Sequence, residues 1–263
     1  MATASSSFGD RTISIGRIFE RSFSTIAHNP LVVLGLALVI GAIPGLLMTY
    51  VLLSAGIGAT GGDFSSAFGA GVLIAMFLSM IVSLAISAVV QGALTRATVA
   101  ESEGHRASFG ECIAVGLRFF LPLIGVGIVT GVGVMLGLLL LVVPGVILAL
   151  MWCVAAPVLV VEREGVFAAL RRSRELGSGA RWKILGLFLV LVFGYWLLSI
   201  VLGFLGLQTS STTDAFSLGN MLASVVLGTL FNAVWGTMQP ALYIELRRWK
   251  EGDSVEALRN VFA

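Results

Sequence analysis

From Leu31 onward the chain alternates between long apolar runs and short polar segments. Apolar runs fall near 31–54, 70–94, 119–143, 144–161, 184–207 and 217–244. Each is close to the roughly 20 helical residues needed to cross about 30 Å of hydrocarbon. The pattern predicts an all-α polytopic membrane protein with six transmembrane helices. The third and fourth runs are separated only by Val143-Pro144-Gly145, where proline cannot continue helical hydrogen bonding and glycine permits a tight reversal. Pro144 and Gly145 are therefore expected to make the turn. One unbroken helix from Phe119 to Val161 would be about twice the length a crossing needs.

The polar segments have a period of their own. At 100° per residue, Ile15, Ile18, Phe19, Ser22, Phe23 and Ile26 share one side of a helix over 12–27, opposite Arg17, Glu20, Arg21 and Ser24. Phe109, Cys112, Ile113, Gly116, Leu117 and Phe120 repeat the spacing over 108–118, with a capping box from Ser108 to Glu111. Val166, Ala169, Leu170 and Ser173 repeat it over 164–177, opposite Arg171, Arg172 and Glu175, and Gly177-Ser178-Gly179 ends the helix. The fourth position is small each time: Ser22, Gly116, Ser173. A second echo follows the even-numbered runs, in Gln91-Gly-Ala-Leu, Ala156-Pro-Val-Leu and Gln239-Pro-Ala-Leu, with Glu162 and Glu245 at matching offsets after the last two. The chain thus reads as one domain, 1–263, of three tandem units, each an interfacial amphipathic helix plus a helical hairpin. A fourth short helix is expected over 253–262, capped by Asp253 with Glu256 at its third position.

Composition supports a lipid environment: 57% of residues are hydrophobic, 11% are charged and the mean hydropathy is +1.02. The net charge of +2 conceals an asymmetry. All sixteen Lys and Arg lie before the first run, between the second and third, between the fourth and fifth, or after the sixth. The remaining segments, 55–69 and 208–216, contain Asp63 and Asp214 and no cation. By the positive-inside rule both termini are cytoplasmic. The first run reads as an uncleaved anchor, because residues 1–28 are polar and carry arginines. Arg171, Arg172, Arg174, Arg181 and Lys183 then form a cationic surface for anionic membrane lipid or a partner in a membrane complex, a second copy included. Nucleic acid is not an expected partner, since the cations are divided among four short segments.

The run Val143-Pro-Gly-Val-Ile-Leu-Ala-Leu-Met-Trp152, with Ala156-Pro-Val-Leu-Val-Val-Glu162, Ala168-Ala-Leu-Arg-Arg-Ser-Arg-Glu-Leu176 and Gly179-Ala-Arg-Trp-Lys183, resembles one family group. It is similar to the membrane domain found alone or fused to glycerophosphodiester phosphodiesterases, and to the YciC-like bacterial inner-membrane proteins. The resemblance implies a polytopic helical protein. It does not extend phosphodiesterase activity to this chain, because that catalytic domain is a separate barrel and no polar segment here is long enough to fold one.

Residues suited to catalysis are sparse, and no catalytic, cofactor or metal site is expected. His28 and His105 lack metal-ligand spacing to a cysteine or carboxylate. Cys112 and Cys153 read as small packing residues rather than a disulfide. Glu162 and Glu245 are expected to pair with Arg171, Arg172 or Arg247 and lock loops onto the bundle. GxxxG pairs at 41/45, 127/131 and 133/137 predict close helix packing, and Trp182, Trp249 and Tyr243 read as boundary anchors. The apolar cores hold no Asp, Glu, Lys, Arg or His, which argues against a proton-driven carrier. They do hold Gln91, Asn220, Asn232 and Gln239. Asn232 and Gln239, seven apart, share a helix face, for hydrogen bonding between helices or for a polar groove. Two readings follow: a non-enzymatic lipid-interacting or organising protein, and a passive conduit for lipid or small solute.

Overall fold

The computed structural model describes residues 13–54, 70–205 and 218–252. The helix expected over 253–262 lies outside them, as do the two cation-free segments. Regular structure among the described residues is entirely helical: α1 (Ile15–His28), α2 (Pro30–Ser54), α3 (Ala70–Ser102), α4 (Phe109–Arg118), α5 (Phe120–Leu140), α6 (Val142–Trp152), α7 (Ala155–Glu162), α8 (Val166–Gly177), α9 (Arg181–Phe204) and α10 (Leu218–Glu251).

Four stretches of the described residues are long and apolar enough to cross a membrane: Gly71–Ser102, Phe120–Leu140, Val142–Glu162 and Arg181–Phe204. A fifth is added if α1 and the start of α2, bent by 99°, count as one span. At most 39% of positions in any of the four apolar windows are buried within the protein, so most of this surface is left for lipid. Helix α10, at 34 residues, dilutes its apolar side chains with Thr229, Asn232, Thr237 and Gln239.

The bends have identifiable causes. Pro30 disfavours helical geometry at Asn29, whose backbone sits at φ −132°, ψ 55°, and α1 leaves the α2 direction there. Pro122 has no N–H for the Arg118 carbonyl, and the chain breaks at Phe119 between α4 and α5. Pro157 likewise leaves the Cys153 carbonyl without its helical donor, so the fourth apolar run divides into α6 and α7. Ser173 of α8 donates from its hydroxyl to the Met151 carbonyl at that break, 2.8 Å away.

The reversal between α5 and α6 is earlier than Val143-Pro144-Gly145. It occurs at Leu141, in extended geometry with φ −165°, while Pro144 lies inside the first turn of α6. The helix tolerates proline there because first-turn N–H groups have no helical acceptor in any case. Gly145 serves the hairpin as a contact point: a Cβ added at Gly137 would stand 2.8 Å from the Gly145 Cα. Gly133 is closed in the same way by the Trp152 ring, so the 133/137 pair packs against α6. In the 127/131 pair only Gly127 is packed, against Leu84. The side chains at 41 and 45 are outside those described.

The repeated positions occupy repeated environments. Ala93 and Leu94, Val158 and Leu159, Ala241 and Leu242 are all at most 1% exposed. Ser22 and Ser173 are fully buried, and Gly116 is buried against the Val89 carbonyl. Helix α4 packs on α3, α8 on α6 and α7, and α1 on α10. Ser108 caps α4 as its capping-box position predicts, accepting the Glu111 N–H at 3.2 Å. Cys112 is fully buried, and burial pushes its thiol up to about 11. Both cysteines are free.

Candidate functional site

Charge at one end of the bundle ties the elements together. Glu162, at the end of α7, accepts the Tyr243 hydroxyl of α10 at 2.9 Å and the Arg172 Nε of α8 at 3.1 Å. Arg172 also pairs with Glu251, which accepts from Arg247 at 3.0 Å. Burial alone would raise Glu251, but the hydrogen bonds from Arg172 and Arg247 outweigh it and hold its carboxyl below the usual range.

The expected partners of the two echo glutamates are therefore half right. Glu162 takes Arg172. Glu245 takes Arg17 of α1 at 2.8 Å and sits near the Ser14 N–H at 3.5 Å. Arg171 faces Glu175 on its own helix, 4.0 Å away, and Arg247 pairs with Glu251 on its own. Tyr243 is 1% exposed and bonded to Glu162, so it is a core strut rather than a boundary anchor. Glu101 accepts from Ser24 at 2.5 Å and from Thr25 at 3.4 Å, tying α1 to α3. His28 lies 3.8 Å from Glu101 and His105 3.4 Å from Glu103. No group of three or more metal-capable side chains occurs among the described residues.

Subtracting this internal network isolates a surface. Arg171, Arg174, Arg181 and Lys183 are exposed. Lys183 donates to the Ile13 carbonyl, at 3.4 Å. Two large apolar side chains stand out among them: Phe167 is 77% exposed and Trp182 is 85% exposed. Cations beside exposed aromatic rings are the composition of a membrane-interface surface. Arg172, named with these residues from the sequence, is instead part of the network and 27% exposed.

The polar residues of the apolar runs meet differently from the expected pairing. Gln91 of α3 donates from its amide nitrogen to Gln239 of α10 at 2.7 Å. Both line a cavity of about 380 Å³ bounded by α3, α5, α6, α7 and α10. Thr130, Trp152 and Ala156 are among the other residues of its wall, most of which are apolar. The first residue of each echo, Gln91, Ala156 and Gln239, thus faces one space. Asn232 is half-buried and does not line it. Asn220's side chain is outside those described. The echo itself was the available signal for the Gln91–Gln239 contact, because it puts both glutamines at one repeat position.

Known proteins add one likeness to this geometry. Over 78 residues the chain is 35% identical to a UPF0259 membrane protein of Pectobacterium carotovorum. The match covers 30% of this chain and 31% of that protein, so the chain spans about a third of the length of the relative it matches. No family model matches, and no solved structure does. The apolar helices and this likeness together make the chain a membrane protein. Its charged network, cationic surface and glutamine-bearing cavity are therefore features of a membrane-embedded bundle.

Proposed function

We propose that this chain is a non-enzymatic protein of the bacterial inner membrane that binds anionic lipid of the inner leaflet through its cationic end. In this reading α2, α3, α5, α6–α7, α9 and α10 make six crossings, and α1, α4 and α8 lie in the interface, giving three tandem units with both termini cytoplasmic. The resemblance of 143–183 to the YciC-like proteins and the phosphodiesterase-associated membrane domain agrees with this. The observation that carries it is the exposed set Arg171, Arg174, Arg181 and Lys183 beside Phe167 and Trp182.

Replacing Arg171, Arg174 and Arg181 by Gln tests the reading while leaving the Arg172 network intact. Each cation near an anionic surface contributes about 1 kcal/mol. The triple variant is expected to lower affinity for anionic lipid by about a hundredfold at low salt, measured by lipid mass spectrometry of native membrane patches, with zwitterionic lipid unchanged. Equal anionic lipid in variant and parent would refute it.

A second reading is supported by the Gln91–Gln239 cavity: a passive passage for lipid headgroups or small neutral solutes. Asn232 and Gln239 were its sequence candidates, and Gln239 with Gln91 is the pair that lines the space. Vesicles carrying the purified protein should then move fluorescent phospholipid between leaflets, and a Gln91→Leu, Gln239→Leu variant should slow this severalfold. Vesicles in which the parent protein moves no lipid would end this reading.

A further inference from the structure

A second cavity, of about 440 Å³, opens at the charged end between α3, the α4–α5 junction and the end of α7. Arg96, Arg118, Arg163, Glu103 and Glu111 line it, together with the Phe119 ring. The three cations are not equivalent. Arg96 is occupied: its Nε and Nη2 donate to Glu111 Oε1 at 2.8 and 2.5 Å, and its Nη1 lies 3.6 Å from Glu103. The hydrogen bond from Arg96 accordingly holds the Glu111 carboxyl below its usual range.

Arg118 and Arg163 have no carboxylate partner among the described residues. Arg118 lies 6.0 Å from the Phe119 ring centroid. Arg163 is the one non-glycine residue with positive φ among those described, at φ 55°, ψ 33°. Side chains rarely adopt that left-handed conformation, and such residues gather at binding sites. Three guanidiniums less two carboxylates leave one positive charge in excess, which one phosphodiester would neutralise. The residues flanking Arg118 favour an amphiphile over a soluble anion: Leu117 and Leu121 are 59% and 76% exposed, and acyl chains can lie along them.

We propose that Arg118 and Arg163 clamp the phosphate of one anionic glycerophospholipid in this cavity, as a site separate from the diffuse cationic surface of α8 and α9. The site deepens the anionic-lipid reading above and rests on it. A clamp of two charged hydrogen-bonding groups holds its lipid against salt, whereas a diffuse exposed surface is screened.

The test uses the full chain in phosphatidylcholine nanodiscs containing a small fraction of phosphatidylglycerol, with retained lipid counted by native mass spectrometry. The parent protein should keep one phosphatidylglycerol at high salt. An Arg118→Gln, Arg163→Gly variant should lose it, with affinity falling at least about tenfold per arginine. Glycine suits position 163 because it adopts positive φ without strain, so a melting temperature at or above that of Arg118→Gln alone would show the loop still folded. Retention of the lipid by the folded double variant overturns the site. If that variant keeps the lipid while Arg171→Gln, Arg174→Gln, Arg181→Gln sheds it, the site falls and the surface reading stands. A parent protein with no preference for phosphatidylglycerol removes both. Displacement of the lipid by added inorganic phosphate at comparable concentration overturns the lipid assignment in favour of a soluble anion.

Discussion

A Gly116→Leu protein is expected to fail to fold into a monodisperse particle in detergent, and Gly116→Ala to unfold with a stability loss of about 1–3 kcal/mol, the range for overpacking a close contact. The reason is backbone, not side chain. A Cβ at Gly116 would run into the Val89 carbonyl, and one at the facing Gly92 would stand 2.9 Å from the Gly116 Cα. Neither helix can yield by turning a rotamer, so α4 has to lift off α3. The contrasting change is Gly110→Ala on the same helix, where an added Cβ meets nothing within 4 Å. It should be neutral or stabilise by about 0.5–1 kcal/mol, as alanine does in helix interiors. Thermal unfolding of the three variants by intrinsic tryptophan fluorescence measures both directions. Equal melting temperatures for Gly116→Ala and Gly110→Ala would mean that α4 does not pack on α3 in this way.

The second large effect belongs to Glu162. Its carboxylate is the shared acceptor of α8 and α10, so Glu162→Ala removes the acceptor of the Tyr243 hydroxyl and one of the two carboxylates that hold Arg172. The Tyr243 hydroxyl belongs to a side chain 1% exposed, and an unsatisfied buried polar group costs about 1–3 kcal/mol. The Arg172 contribution is smaller, because Arg172 is 27% exposed on its side chain and keeps Glu251 as a partner. The expected total is about 1–4 kcal/mol. The damage should be local as well as global: hydrogen exchange of the α8 amides should rise in Glu162→Ala above that of the parent protein. Tyr243→Phe, which removes the buried donor itself, should cost less. A Glu162→Ala protein with unchanged exchange in α8 would show that the carboxylate does not hold that helix.

Much of this was legible from residue order, and the failures share a cause. Periodicity located α1, α4 and α8, and the small fourth position of each is buried. Periodicity could not locate the partner. Glu245 was matched to cations near it in sequence, yet it pairs with Arg17 because α1 packs on α10, a contact no local pattern encodes. Asn232 and Gln239 share a helix face, but a shared face fixes direction on one helix and not the helix opposite. Gln239 meets Gln91 because α10 comes close to α3, where Gly236 abuts Leu94. At the α5–α6 reversal proline reads as the breaker, yet Pro144 lies inside the first turn of α6, where it is compatible with the helix it begins. The remaining echo position repeats the same lesson: where α7–α8 has Glu162 and Arg172, the matching places in α3 and α4 are Ala97 and Val115, and that crossing is held by glycine contact instead.

The packing of α1 on α10 also sets an order of events at the ribosome. Ser14 and Glu245, which meet at 3.5 Å, are 231 positions apart. At the ordinary pace of about 5–20 residues per second, the opening helix waits roughly ten seconds to most of a minute for the strand of chain that completes its seat. During that interval α1 has α2 and α3 to pack on but lacks its most extensive partner, α10. In the interfacial placement proposed above, its amphipathic face, which looks redundant in the finished bundle, lets the helix wait on the bilayer instead of aggregating.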